Sequence, residues 1–290
     1  MTTAMASQLA TQIDEAAAHI RGRSRTRPEV GIILGTGLGD FADSLDVEAV
    51  VPYREIPHFP VSTVESHAGE LHLGRLAGRP VAVMKGRAHY YEGYTMRQVA
   101  FPVRVLRALG CKTLVVTNAC GGMKPDLPAG SLVVTTDHIN LMGDNPLIGE
   151  NDEALGPRFP DMSEPYSRAL VALAEQVALE HRIPLQRAVF VAVAGPNLET
   201  AAEYRFLRWI GADVVGMSLV PENLAAVHGG QRVLALSVVT DVCLPDHLHP
   251  VDIPEILAVA GRAAPSLIRL VSEVVRRLDE AHESSAGPGR

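Results

Sequence analysis

The 290-residue sequence contains only three cysteines, Cys111, Cys120 and Cys243, and none of them forms a C-x-x-C motif. An odd number of widely spaced cysteines argues against a disulfide framework and fits a reducing compartment, so we expect a cytoplasmic protein. The sequence has 26 Lys and Arg residues and 33 Asp and Glu residues, which gives a net charge of -7. Without a basic excess, nucleic acid is not an expected partner.

Long apolar runs are absent as well. No stretch approaches the roughly 18 apolar residues of a membrane helix. The first 20 residues lack the apolar centre of a secretory signal. The middle of the chain holds no Pro/Gly/Ser-rich linker, so we predict a single domain over residues 1–280 and a flexible tail over 281–290. We therefore expect no membrane partner.

Short runs rich in Val and Ile alternate with longer helical patterns, which predicts an α/β fold with a largely parallel sheet. The predicted strands are Val30–Leu34, Pro80–Met84, Thr113–Thr117, Leu132–Thr135, Ala188–Val193, Asp213–Met217 and Val233–Thr240. The predicted helices span about 5–21, 97–109, 164–181, 199–210, 220–229 and 253–279. Ligands of such folds bind in the loops that follow strands.

Two loops after strands carry candidate anion ligands. Residues 35–39 read G-T-G-L-G. The glycines leave the backbone N–H groups accessible and Thr36 adds a hydroxyl, so the segment is compatible with an anion-binding loop and, equally well, with a plain tight turn. The spacing is not that of a dinucleotide loop. Residues 85–94 read KGRAHYYEGY, in which Arg87 is a bidentate phosphate donor and His89 a hydrogen-bond or proton donor. The alternative is a solvated loop with packed tyrosines.

Four further strand ends are candidates. Asn118, in TNACGG, is flanked by small residues. These residues would let a flat ligand lie against the backbone, or they form a β-turn. Glu199, in AGPNLET, fits either a helix first turn or acceptance of paired N–H groups from a purine. Ser218, in GMSLVPE, is either a helix N-cap or a phosphate ligand. Asp241 ends the apolar strand segment SVVTD, and because a buried acid needs partners we favour a site residue.

Several catalytic patterns are missing. No G-x-S-x-G nucleophile elbow is present, and the cysteines lie in apolar sequence that does not favour a thiolate. Asp246, His247 and His249 form a polar loop without a further ligand set, so we predict no metal site.

Together these segments resemble the trimeric purine nucleoside phosphorylase family, from about Val30 to about Val274. The matching pieces come in the family's order: GTGLGD, ESHAGEL, KGRAHYYEGY, NACGGM, DHINLMGDNPLIGENDEALGPRFPDMSEPY, VAGPNLETAAE, GMSLVPE and SVVTD. The resemblance implies a single α/β domain with a mixed, partly barrel-like central sheet flanked by helices. It also implies a cytosolic homotrimer that converts a purine (deoxy)ribonucleoside and phosphate into free purine and (deoxy)ribose 1-phosphate. Phosphate is a co-substrate, and no cofactor or metal is implied.

The resemblance also assigns site residues. Those assigned to phosphate are Thr36, His67, Arg87, His89, Ala119 through its N–H, and Ser218. Those assigned to ribose are Tyr91, Met217 and, reaching into the neighbouring subunit, Phe159. Those assigned to the purine are Asn118, Leu198, Glu199, Val215, Thr240 and Asp241. The predicted catalytic residues are His89, Glu199 and Asp241.

Three positions depart from the family pattern. Asp241 replaces the usual Asn, and since a carboxylate accepts but does not donate, we expect acceptance of 6-aminopurines such as adenosine. Glu199 argues for 6-oxopurines, so the two residues disagree. Leu198 replaces an aromatic residue that packs on the base. Near Ile253 the family often has a His for the 5′-hydroxyl; either His249 supplies this contact or the pocket is apolar and tolerates a 5′-methylthio group.

Other functions are less compatible with these residues. Methylthioadenosine phosphorylase relatives also carry Thr-Asp at residues 240–241, but they do not keep the equivalent of Glu199. A non-catalytic purine-binding protein has no need of the phosphate set of Thr36, Arg87 and Ser218. The hypothesis of a dinucleotide-dependent oxidoreductase depends on the glycine loop alone, and the spacing of its glycines is wrong for that function.

Overall fold

The computed structural model describes residues 7–35, 41, 44–63 and 68–285. Thr36 and His67, both predicted phosphate ligands, lie outside the described residues. The strands are β1 Val30–Leu34, β2 Asp46–Pro52, β3 Glu70–Leu76, β4 Arg79–Lys85, β5 Thr113–Gly122, β6 Leu132–Leu141, β7 Leu185–Val193, β8 Val214–Gly216 and β9 Arg232–Val242. The helices are α1 Gln8–Arg23, α2 Met96–Leu109, α3 Arg168–Glu180, α4 Ala201–Trp209, α5 Val220–His228, α6 Ile253–Arg276 and α7 Leu278–Ser285.

The sheet is mixed and partly closed, as the family resemblance implied. Its strand order is β2-β3-β4-β1-β5-β8-β7-β6-β9, and β9 also pairs with β5. That extra pairing closes β5, β8, β7, β6 and β9 into a barrel, while β1 to β4 extend it as an open wing. Pairs β1–β4, β1–β5, β5–β9, β6–β7 and β7–β8 are parallel, and the other pairs are antiparallel.

All seven predicted strands are present. β2 and β3 were not predicted, because β2 is a mostly exposed edge strand and β3 carries Glu, His, Gly and Arg among its apolar residues. The expectation of a largely parallel sheet was too simple, since β2, β3 and part of the barrel pair antiparallel.

The helices lie close to their predicted positions. The predicted last helix is divided into α6 and α7, and α7 continues to Ser285. The predicted boundary between domain and tail at residue 280 therefore falls inside a helix, and residues 286–290 lie outside the described part. No helix among the described residues is long and apolar enough to cross a membrane.

Apolar side chains from the sheet and from α1, α2, α3, α5, α6 and α7 form one contiguous core. A smaller cluster of Met123, Val191, Tyr204, Leu207, Ala212, Val215 and Cys243 packs beside the barrel. Within the barrel, Gly121 of β5 is paired with Val215 of β8 and with Asp241 of β9. A Cβ atom at Gly121 would lie 2.5 Å from Cys243 Sγ, so glycine permits this close approach of three segments.

Candidate active site

A cavity of about 480 Å³ opens where β5, β8 and β9 end, bordered by the loops after β1, β4 and β7 and by the start of α6. Twelve predicted site residues line it: Arg87, His89, Tyr91, Asn118, Ala119, Leu198, Glu199, Val215, Met217, Ser218, Thr240 and Asp241. The chain thus brings together residues from five separate segments, as a binding site with a few convergent polar groups requires.

Arg87 is a buried cation, 3% exposed, held by three acceptors. Its Nη1 donates to Glu222 Oε1 at 3.1 Å, and its Nη2 donates to the carbonyls of Thr117 and Ile33. Burial lowers the pKa of Arg87, while the Glu222 charge opposes that effect. A guanidinium remains protonated under these conditions, so the cavity wall contains a fixed positive charge with a defined orientation.

Glu222 was not among the predicted site residues. It lies in the first turn of α5, is 2% exposed, and pairs with Arg87 135 positions away. A glutamate in a helix first turn is explained by the helix dipole alone. Only the tertiary structure identifies it as the partner of the cavity cation.

His89 is oriented by Glu92. Glu92 Oε1 lies 3.0 Å from His89 Nδ1 and accepts the His89 backbone N–H at 2.7 Å. The imidazole stacks on the Tyr91 ring, with centroids 4.7 Å apart. Burial works to raise the pKa of Glu92, but hydrogen bonds from Thr63 and His89 outweigh it and lower the pKa. Glu92 is therefore an ionised anchor that fixes the tilt of the His89 ring.

Ser218 precedes α5 in a strained turn. Leu219, fully buried, has φ +72° and ψ -52°, and the Val220 N–H donates to the Ser218 carbonyl at 2.8 Å. This is the rare γ-turn with positive φ, which strains a non-glycine residue. Such strain is typical of functional positions, and here it sets Ser218 against the cavity at the helix N-terminus.

Asp241 accepts hydrogen bonds on both carboxylate oxygens. Thr240 Oγ1 donates to Oδ1 at 2.9 Å, and Cys243 Sγ donates to Oδ2 at 3.0 Å. Burial raises the pKa of the Cys243 thiol, and the negative charge of Asp241 raises it further. Cys243 is thus a protonated donor and not a thiolate.

Glu199 is the second carboxyl of the cavity. Burial raises its pKa; a hydrogen bond with Tyr204 opposes this effect, and the charge of Asp241 adds to it. Tyr204 interacts with both Glu199 and Cys243, so side chains connect the two carboxyls in the order Glu199, Tyr204, Cys243, Asp241. Tyr204 and Cys243 were not predicted as site residues, since nothing in their local sequence distinguishes them from core residues.

Asn118 is fixed from behind the cavity. The buried Ser237 hydroxyl donates to its Oδ1 at 2.9 Å, and its Nδ2 donates to the Ala119 carbonyl at 3.0 Å. The amide orientation is therefore set by the neighbouring strand β9.

One side of the cavity is apolar. Leu198, 45% exposed, and Ile253, Ile256 and Leu257 of α6 line it. His249 is exposed and does not line the cavity. Of the two alternatives for this region, the structure supports the apolar pocket.

Phe159 does not line the cavity of its own chain. It is 86% exposed, and the Arg158 guanidinium lies 5.7 Å from its ring centroid. Asp246 is paired with Arg205 at 2.6 Å. Within the described ranges, no group of three or more His, Cys, Asp or Glu residues is arranged to hold a metal ion.

Comparison with known proteins assigns the class. Residues 29–276 match the phosphorylase superfamily, so the chain belongs to that superfamily. It is 47% identical over 268 residues to purine nucleoside phosphorylase 1 of Bacillus subtilis, covering 92% of this chain and 99% of the relative. The purine nucleoside phosphorylase of Schistosoma mansoni in complex with adenosine matches with a TM-score of 0.88 at 40% identity, covering 92% of this chain and 97% of that one. A Schistosoma mansoni purine nucleoside phosphorylase in complex with inosine gives a TM-score of 0.87 at 39% identity, covering 92% of this chain and 96% of that one.

Proposed function

We propose that this protein is a purine nucleoside phosphorylase, a pentosyltransferase that converts a purine (deoxy)ribonucleoside and phosphate into free purine and (deoxy)ribose 1-phosphate with inversion. The observation that carries the proposal is one cavity lined by both a buried Arg87 and the Glu199–Asp241 carboxyl pair. The Arg87 cation suits a phosphate dianion, and the two carboxyls suit the polar edge of a purine. The curated relatives carry the same activity in their names.

Phosphate is bound by Arg87, His89, the Ala119 N–H and Ser218. Arg87 supplies a positive charge fixed at the cavity wall, and Ser218 adds a hydroxyl at the start of α5. The reaction needs no covalent intermediate: a phosphate oxygen attacks C1′ as the bond from C1′ to the purine N9 breaks. Catalysis then depends on positioning and on fixed charges, and no cofactor is required.

Glu199 and Asp241 bind the purine as its leaving charge grows. An ionised Asp241 accepts a hydrogen bond from an exocyclic 6-amino group and repels the lone pairs of a 6-oxo group. Thr240 and Cys243 already donate to Asp241, which supports its role as an acceptor. We therefore propose that the enzyme accepts 6-aminopurine nucleosides such as adenosine. Crystal structures of purine nucleoside phosphorylase from Schistosoma mansoni include one with adenosine and one with inosine.

A second candidate activity is phosphorolysis of methylthioadenosine. Ile253, Ile256 and Leu257 line the cavity, and His249 does not. An apolar wall favours a 5′-methylthio group over a 5′-hydroxyl, because burying an unpaired hydroxyl costs free energy.

The assembly and the location are also proposed. Phe159, in the GPRFPDM motif, is 86% exposed, which supports its insertion into the site of a neighbouring subunit of a homotrimer. All three cysteines are free and buried, as suits a reducing cytoplasm. The proposed activity, which releases free purine from a nucleoside, would serve purine salvage.

The test is phosphate-dependent cleavage of inosine, guanosine, adenosine and methylthioadenosine, measured side by side by ultraviolet absorbance. We expect cleavage that requires phosphate and yields (deoxy)ribose 1-phosphate, with adenosine among the substrates. No phosphate-dependent cleavage of any of the four contradicts the proposal. Methylthioadenosine far ahead of adenosine assigns the second candidate activity.

Asp241→Asn tests the base preference. The asparagine amide donates where the carboxylate accepts, so the ratio of kcat/KM for inosine to that for adenosine rises about tenfold or more, the effect of one mismatched buried hydrogen bond. Asp246→Asn is the matched control, because it makes the same change at an exposed residue that does not line the cavity. An unchanged ratio in Asp241→Asn overturns the assignment.

A further inference from the structure

A buried cysteine lies next to Asp241 on the cavity wall. Asp241 is near the end of β9, and Cys243 follows the last residue of that strand. In an extended backbone, residues two apart point to the same side. Asp241 and Cys243 accordingly both line the cavity, while Val242 between them is 42% exposed. The Cys243 N–H donates to the Gly122 carbonyl at 2.7 Å, so pairing with β5 holds the cysteine backbone in place.

Two neutral donors bracket the Asp241 carboxylate. Thr240 Oγ1 donates to Oδ1 at 2.9 Å, and Cys243 Sγ donates to Oδ2 at 3.0 Å. Burial raises the pKa of the Cys243 thiol, so the thiol retains the hydrogen that it donates. An ionised carboxylate offers about four acceptor sites, and these two bonds leave about two for a ligand. The two donors therefore fix the plane of the carboxylate without cancelling its charge.

The residues around the thiol confine it. A Cβ atom at Gly121 would lie 2.5 Å from Cys243 Sγ and 3.3 Å from Asp241 Oδ2, so glycine makes room for the pair. Cys243 is 2% exposed and belongs to the apolar cluster that also contains Tyr204 and Val215. The thiol thus has little freedom to turn away from Asp241.

We infer that Cys243 is a positioning residue for base selection, because its thiol orients the Asp241 carboxylate toward a purine 6-amino group. Cys243 acts through Asp241 and needs no contact with the base. A hydrogen bond depends strongly on its direction, so a carboxylate that is free to rotate loses part of its interaction with the amino group. The inference rests on the proposed function and adds to it the residue that orients this carboxylate.

Cys243→Ala tests the inference. The variant removes one donor from Asp241, so we expect the ratio of kcat/KM for adenosine to that for inosine to fall about threefold to tenfold. The fall occurs in the adenosine value, because inosine has no 6-amino group to donate to Asp241. Cys243→Ser places a hydroxyl donor at the same position and recovers most of the lost ratio.

Cys111→Ala is the matched control. Cys111 is also a free cysteine and 2% exposed, but it does not line the cavity. Both alanine variants leave a small cavity in the protein, so thermal denaturation is expected to show a loss of stability in each. Only Cys243→Ala changes the ratio, whereas a merely structural role lowers kcat/KM for both nucleosides alike.

A double-mutant cycle shows whether Cys243 acts through Asp241. In an Asp241→Ala background the carboxylate is gone, so adding Cys243→Ala leaves the ratio unchanged. The inference is overturned by an unchanged ratio in Cys243→Ala alone, by an equal loss for both nucleosides, or by the same fall in the Asp241→Ala background. A Cys243→Ser ratio as low as that of the alanine variant also overturns it.

Failure of the proposed function has a different signature, because the native protein then cleaves neither nucleoside. In that case calorimetric titration with adenine and hypoxanthine makes the same comparison without turnover, and an adenine affinity unchanged by Cys243→Ala overturns the inference. Cleavage of inosine without measurable cleavage of adenosine contradicts the role of Asp241 as an acceptor, and with it the inference.

Discussion

At the scale of single residues, the Arg87–Glu222 pair fixes the one buried guanidinium among the described residues that line the cavity. Both side chains are nearly inaccessible to solvent, and Nη1 donates to Oε1 at 3.1 Å. Removing one partner of a buried ion pair leaves the other charge uncompensated, at a cost of about 3–5 kcal/mol. Glu222 does not line the cavity, so we assign it the role of positioning Arg87.

Arg87→Ala removes the fixed cation, and we expect kcat/KM to fall by roughly 10²-fold or more, as for other preorganised anion donors. Arg87→Lys keeps the buried positive charge but loses the planar set of donors. We therefore expect a substantial loss of kcat/KM in this variant as well. Initial rates at varied phosphate concentration check both variants.

Arg54→Ala provides the control for these variants, since Arg54 is exposed and does not line the cavity. Circular dichroism establishes that each variant is folded. A loss below about threefold in folded Arg87→Ala contradicts the assigned role.

Residue types at strand ends were enough to predict six of the cavity-lining residues, and the family resemblance supplied six more. Arg87, Glu199 and Asp241 carry chemistry that a plain turn or core position does not need, and each follows a readable strand. Glu222 and Tyr204 act only through partners distant in sequence, and their local settings, a helix first turn and an apolar helix face, explain them equally well. The orientation of a side chain by a distant partner is a property of the tertiary structure alone.

At the scale of elements, hydrophobic patterning located the strands but not their full lengths. β5 extends to Gly122 and β6 to Leu141, beyond the apolar runs that predicted them. The extra residues belong to the barrel, where Gly121 meets both Val215 and Asp241. Small and polar residues are tolerated there because the pairing partners and the cavity, not a continuous apolar core, surround them.

The β3–β4 hairpin offers a test of local structure that is independent of the site. Its two loop residues, Ala77 and Gly78, have φ of +49° and +84°, as in a type I′ turn. Ala77 is exposed, and left-handed backbone is costly for alanine and better tolerated by asparagine. Ala77→Asn is expected to raise the free energy of unfolding by about 0.5–1 kcal/mol.

Urea denaturation measures this change, and Ala77→Val is the opposing control. A β-branched residue is poorly suited to positive φ, so the valine variant is expected to be less stable than the native protein. An asparagine variant no more stable than the valine variant contradicts the turn assignment.

At the scale of the whole molecule, apolar side chains are exposed both on the rim of the cavity and elsewhere on the surface. On the rim of the cavity, Leu198 is 45% exposed and Ile253 is 59% exposed. Phe159 does not line the cavity of its own chain and is 86% exposed. An apolar rim and an unburied aromatic residue are both explained by a symmetric assembly in which each subunit inserts Phe159 over its neighbour's cavity. The proposed trimer therefore couples assembly to substrate binding.

Mixing variants tests this coupling. Phe159→Ala leaves a subunit with its own Arg87 but unable to complete its neighbour's site, whereas Arg87→Ala leaves a subunit that can complete its neighbour's site but cannot bind phosphate well. After joint refolding, some Phe159→Ala subunits receive Phe159 from an Arg87→Ala neighbour, so the activity of the mixture exceeds the sum of the two separate variants. Pairing Arg87→Ala with the Arg87→Ala/Phe159→Ala double variant restores nothing, because no site contains the cation. Analytical ultracentrifugation shows a trimer in each case, and strictly additive activity in the first mixture overturns the shared site.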